Sequence, residues 1–162
     1  MSNWVLKNDD SIFHKEVREH EGTIAYQTKK GYFKNGRFHV YKDSLGLPTI
    51  GYGHVLVNGE TFPNGLTESE GDALLIKDAT VAFNDAKEIY EQFGMKGGID
   101  LQRVLWQMCF QMGKRRVLGF KKALAAMGAG DYKEAGRQMR DSTWYKQTTS
   151  RAEKLARIVE SQ

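Results

Sequence analysis

The 162-residue sequence predicts an α+β fold. Three observations carry that reading. Residues 23 to 62 contain short alternating segments punctuated by Asn35-Gly36 and Asn58-Gly59, both of them hairpin signals. At Thr67 the apolar period changes from two to steps of three and four. From Asp100 to Val159 the pattern stays helical, with short breaks at Gly113, Gly128, Gly130 and around Ser142. The expected organisation is one domain over residues 1–162. It comprises a small antiparallel sheet lobe at about 14–66, a long connecting helix at about 67–93, and a helical lobe at about 94–162 that the N-terminal helix joins. A gap between two such lobes is the default place for a ligand.

Each element has a local reason. From Asp10 to His20 the spacing reads as a helix, capped by Asp10 or Ser11, with Ile12, Phe13 and Val17 on one side. Glu21-Gly22 ends it, because glycine takes the left-handed conformation that closes a helix. "GYFKNGRFHVY" then reads as a hairpin around Asn35-Gly36, followed by "HVYKDSLGLPTIGYGH" and "HVLVNGETF", so residues 23 to 62 are expected to be strand and turn. Thr67-Glu68-Ser69-Glu70 fits a capping box. Leu75, Ala79, Ala82, Ala86, Ile89 and Phe93 mark one face of the helix that follows, and Gly94, Gly97 and Gly98 stop it.

Composition narrows the function classes. The charged fraction is 27% and the apolar fraction 40%, ordinary for a globular chain. The net charge of +4 favours a polyanion or an anionic cell envelope. The basic runs at 29–30 and 114–116 are short and read as solvated faces, and no nucleic-acid motif accompanies them. The lone Cys109 excludes an intrachain disulfide and reads as a buried thiol within "VLWQMCFQMG". "MSNWVLKNDDS" lacks the basic start and apolar core of a secretory signal. No apolar run approaches membrane-spanning length, so membrane insertion is not expected. A target outside the cytoplasm would then require delivery by another protein.

The candidate chemistry begins with two carboxylates. Glu21 ends a helix and Asp43 ends a strand, and an intervening hairpin can fold them together. Such a pair suits glycoside hydrolysis, with one acid protonating the leaving oxygen and the other activating water or attacking directly. Spacing alone does not select this pair, since the chain has 20 acidic residues. By itself Thr49 reads as a solvent-facing strand residue and His54 as a structural histidine. No other ligand-type residue falls at metal spacing near His54, so no metal site is expected.

A set of longer motifs does select it. "REHEG" at 18–22, "VYKDSLGLPTIGYGH" at 40–54, "LTESEGDALL" at 66–75, "FQMG" at 110–113 and "STWYKQTTSRAEKLARIV" at 142–159 together resemble the phage T4-type lysozyme family, in order, from about Glu16 to Val159. The resemblance implies a lysozyme-like fold and a muramidase acting on peptidoglycan with inversion and without cofactor. Glu21 would be the general acid, Asp43 the carboxylate that positions the attacking water, and Thr49 a hydroxyl that helps hold that water. In that arrangement the Thr49 hydroxyl is expected to face Asp43, and Gly51 and Gly53 to let backbone segments approach closely. Asp78 would pair with His54. Gln107, Gln111 and Met112 would line the substrate wall, with Phe110 packed beneath them. Arg151 would lie close to the helix end that carries Glu21.

The chain departs from the family by an additional stretch at roughly Gln27 to His39, and by glutamine at 107 where asparagine is usual. Two rivals remain at this stage. A lytic transglycosylase needs the acid but no water-positioning Asp43. A wall-binding module of a phage tail would keep the fold without turnover. An endolysin would act from the host cytoplasm into the periplasm through a holin-dependent route, whereas a tail-associated enzyme would sit in the virion beside other tail proteins. As an isolated domain the chain is expected to be a monomer.

Overall fold

Ser11–Glu21 form the first helix, α1, and its apolar stripe is narrower than the sequence suggests. Phe13 and Val17, one turn apart, are fully buried, whereas Ile12 is half exposed. Gly22, with φ of 108°, closes the helix. The computed structural model describes all 162 residues and divides them into two units, residues 11–80 and residues 81–162 with 1–10. The first helix is expected with the helical lobe; in the structure α1 lies within the unit that contains the strands.

The stretch expected to open with strand instead opens with a second helix, α2, at Ile24–Lys30. Thr23 caps it by accepting the Tyr26 N–H, and Gly31 ends it in the left-handed conformation. Ala25, Gln27, Lys29 and Lys30 are competent helix formers. The alternation read as strand begins only at Tyr32. Phe33–Lys34 (β1) and Arg37–Phe38 (β2) then form the expected hairpin, pairing Phe33 with Phe38 and Lys34 with Arg37. Asn35 and Gly36 take φ of 54° and 73°, the two positive values that a type I′ turn demands.

The strands make two small antiparallel sheets. One has the order β1-β2-β6, with β6 at Leu66–Thr67. The other is Tyr41–Lys42 (β3), Pro48–Ile50 (β4) and His54–Val55 (β5). Asn58-Gly59 does not join a hairpin as its sequence suggested, because β5 pairs back to β4 while β6 pairs with β2. Phe38 sits at the centre of this unit, fully buried and edge-on to Phe33 and Tyr52.

The capping box forms as expected. Thr67 Oγ1 accepts from the Glu70 N–H at 3.1 Å, and Glu70 Oε1 accepts from the Thr67 N–H at 2.9 Å. It starts α3, Glu68–Gln92, in which Leu75, Ala79, Ala82, Ala86 and Ile89 are buried as the period predicts. Tyr90 joins that face, and Phe93 is only half buried.

The other unit is helical: α4 (Ile99–Met112), α5 (Lys114–Leu118), α6 (Lys121–Ala129), α7 (Tyr132–Arg140), α8 (Thr143–Gln147) and α9 (Thr149–Glu160). Gly113, Gly130 and Ser142 fall between helices. Gly128 does not break α6, where a Cβ would stand 2.3 Å from the Phe93 carbonyl oxygen, so glycine serves close packing there. The first ten residues are tied down. Buried Gln102 accepts the N–H groups of Val5 and Leu6 through Oε1, and the Trp4 ring stands edge-on to Phe83 and Tyr90. Arg103 grips Asp10 through Nε and Nη2 at 2.9 and 3.1 Å. No helix is long and apolar enough to cross a membrane.

Candidate active site

Glu21 is the last residue of α1, half-buried, and its carboxylate lies against the β4–β5 turn. A Cβ built on Gly53 would stand 2.2 Å from Glu21 Oε2. Any larger residue at 53 would displace the acid. Gly51, expected to serve a similar approach, has open space at its Cβ position; its φ of 66° is what calls for glycine.

Asp43 follows β3 and caps the turn that leads to β4. Its Oδ1 accepts the N–H groups of Leu45 and Leu47, each at 2.9 Å, and its own N–H donates to the Leu47 carbonyl at 3.0 Å. Thr49 stands directly across from Tyr41 in the β3–β4 register and is 2% exposed. Its hydroxyl donates to the Leu47 carbonyl at 2.9 Å. The resemblance implies that this hydroxyl faces Asp43. In the structure its one proton is committed to Leu47, so toward any further group the oxygen can only accept.

Tyr41 connects the two acids. It lies on β3, two residues before Asp43. Burial first, then the charges of Glu21 and Asp43, push its phenol up to about 12. The same hydroxyl therefore feels the charge of both carboxylates. Tyr32 stacks on the Tyr41 ring with centroids 4.2 Å apart and planes 5° from parallel.

His54 is a second constellation. Its Nδ1 lies 2.7 Å from Asp78 Oδ2, the expected partner, and its Nε2 lies 2.8 Å from Glu60 Oε1, which the sequence reading missed. Glu60 also accepts the Val57 N–H at 3.1 Å. Burial works against the imidazolium and is the largest single influence. The hydrogen bonds to Glu60 and Asp78 together outweigh it, so the histidine titrates above its usual range. Both ring nitrogens are held by carboxylates, which gives His54 a fastening role between β5, the Asn58-Gly59 turn and α3.

In the helical unit, Gln107 is 1% exposed and its Oε1 accepts from Arg151 Nη2 at 3.3 Å. Gln111 accepts the Trp144 indole N–H at 3.0 Å. Met112 lines an open groove of about 570 Å³ with Arg116, Phe120 and Trp144. Gln107 therefore sits behind the surface and orients Arg151, while Gln111 and Met112 are partly accessible. Phe110 is half-buried. Cys109 is buried as expected, and burial pushes its thiol up to about 12, aided by the Asp85 carboxylate.

Residues 32–159 match the family model described as phage lysozyme. The chain belongs to the phage lysozyme family. Asp43, Thr49 and His54 lie inside the matched stretch and Glu21 precedes it, so the assignment of Glu21 rests on its motif and on its contact with Gly53. The chain is 31% identical over 145 residues to the pre-baseplate central spike protein Gp5 of Enterobacteria phage T4, a match that covers 76% of this chain and 25% of that protein. The chain thus spans about a quarter of the spike protein's length. It is 27% identical over 154 residues to each of two Dictyostelium discoideum proteins, probable T4-type lysozymes 1 and 2, covering 80% of this chain and 90% of each. Within residues 11–80 two carboxylates thus stand on separate elements, Glu21 at the end of α1 and Asp43 after β3, with Thr49 tied to Asp43 through Leu47.

Proposed function

We propose that this chain is a muramidase that hydrolyses the β-1,4 bond between N-acetylmuramic acid and N-acetylglucosamine of bacterial peptidoglycan, with inversion. Family membership supports a lysozyme-type glycosidase. The observation that carries the finer reading is the turn after β3, in which Leu47 ties Asp43 to Thr49, together with Glu21 at the end of α1 against Gly53 in the same unit. Glu21 donates its proton to the glycosidic oxygen as the C–O bond breaks. Water attacks the sugar carbon from the opposite face and loses its proton to Asp43, while the Thr49 oxygen accepts the water's second hydrogen. The free carboxylate oxygen geometry at Asp43 suits this role, because both backbone bonds go to Oδ1.

Gln111 and Met112 contribute glycan contacts in this reading, and Gln107 acts through Arg151. The scheme requires no metal or organic cofactor. Residues 1–162 act as one catalytic domain. The likeness to the spike protein favours a tail-associated enzyme of the virion. A free endolysin is the alternative. Product analysis of digested sacculi tests the chemistry. Reducing muramic ends are expected, anhydro ends would mean a lytic transglycosylase, and no cleavage would mean a wall-binding module.

A further inference from the structure

The stretch that departs from the family pattern, roughly Gln27 to His39, begins with a buried polar side chain. Gln27 is 1% exposed. Its Nε2 donates to the Gly22 carbonyl and to the Gly51 carbonyl, each at 2.9 Å. Both acceptors are informative. Gly22 immediately follows Glu21 at the end of α1. Gly51 immediately follows β4, the strand of Thr49, and lies two residues before Gly53, on which the Glu21 carboxylate rests. The amide orientation is dictated by this pair, since two carbonyls can be bridged only by the NH₂ end. The other end, Oε1, is buried without a hydrogen-bond partner. Leaving such an acceptor unpaired is costly, and a buried polar group kept at that cost calls for an explanation.

We propose that Gln27 is a positioning residue of the active site. By bridging Gly22 and Gly51 it locks the helix end bearing Glu21 to the strand bearing Thr49, and so fixes the acid relative to the group that holds the water. The inference rests on the muramidase reading above. Its physical content is that a misplacement of about 1 Å at a reacting group costs on the order of 10²-fold in rate. A second contact from the same segment reinforces the bridge. The Tyr32 N–H donates to the Gln27 carbonyl at 2.8 Å, and the Tyr32 ring stacks on Tyr41.

The test compares full-length wild type with Gln27→Met, which keeps volume but donates nothing, and with Thr28→Ala on the exposed side of α2. Each is assayed for kcat and KM on purified sacculi, for melting temperature, and for the amide signals of Gly51 and Gly53 by NMR. Gln27→Met is expected to lower kcat at least about tenfold with KM within about twofold, and to shift both glycine signals, with Thr28→Ala matching wild type. Should Gln27→Met fail to fold, Gln27→Glu keeps the shape and, protonated, one donor; an intermediate kcat is then expected. Unchanged kcat with only a lower melting temperature would overturn the proposal, as would a rise in KM alone. A wild type that cleaves no glycan would overturn the muramidase reading and this inference with it. Normal cleavage by both Gln27 variants would overturn the inference alone.

Discussion

Asp43 and Thr49 are coupled through one residue between them. Leu47 donates its N–H to Asp43 Oδ1, and its carbonyl accepts both the Thr49 hydroxyl and the Asp43 N–H. The turn "DSLGLPT" is therefore a device that sets a carboxylate and a hydroxyl oxygen at a fixed spacing. Thr49→Val removes the oxygen while nearly preserving volume. The Leu47 carbonyl keeps its bond from Asp43, so stability should fall by only about 1 kcal/mol. Turnover should fall more than about tenfold and recover in Thr49→Ser. Kinetics beside chemical denaturation checks this; parallel losses in both would make Thr49 a structural residue.

Glu21→Gln keeps the shape of the acid and removes its donatable proton. General acid catalysis is worth roughly 10²–10⁴-fold, so clearance of cell walls should slow by that factor. The fold should be unaffected, because the amide fits the same space beside Gly53. Near wild-type clearance by the folded variant would remove Glu21 from its role.

His54 titrates above its ordinary value of 6.5 because Glu60 and Asp78 bind its charged form. A raised value means that the stabilisation is fully present below the unfolded-state pKa and fades as pH rises through the folded-state one. His54 also lowers the Glu60 pKa, and that contribution is lost only as pH falls through the acid range. His54→Asn should thus cost about 2 kcal/mol near pH 5.5 and clearly less at pH 9. Denaturant midpoints at the two pH values measure it, and an equal loss at both would point to packing instead.

Cys109 should be inert in the native state. Its burial and raised thiol pKa leave almost no thiolate at pH 8. Labelling by a disulfide reagent should be at least about 100-fold slower folded than in denaturant. Stoichiometric labelling of folded protein within minutes would show that α4 opens readily.

Much of this was legible in the sequence because local rules and tertiary structure agree. Asn35-Gly36, the Thr67 capping box and the Leu75-to-Ile89 stripe each specify their element without help from distant contacts. The misreadings lie where a distant partner decides. Residues 24–30 are the exception, because the caps that make them a helix, Thr23 and Gly31, are adjacent in sequence. Asn58-Gly59 looked like a hairpin, but β6 finds its partner in β2. Glu60 was missed because only the folded turn brings it to His54. Gln27 carries no motif at all, and its meaning comes from two carbonyls that the fold places beside it.

In the proposed mechanism Asp43 and Thr49 manage a water while Glu21 supplies the proton. An inverting site holds its carboxyl groups roughly 6.5–9.5 Å apart to admit that water, and a retaining site about 5–5.5 Å. The most direct measurement is the anomeric configuration of the new reducing end, followed by NMR from the first seconds of digestion, before mutarotation. The α-anomer should appear first from the β-linked substrate. Initial release of the β-anomer would show retention and contradict the assignment of Asp43 as the water-positioning base.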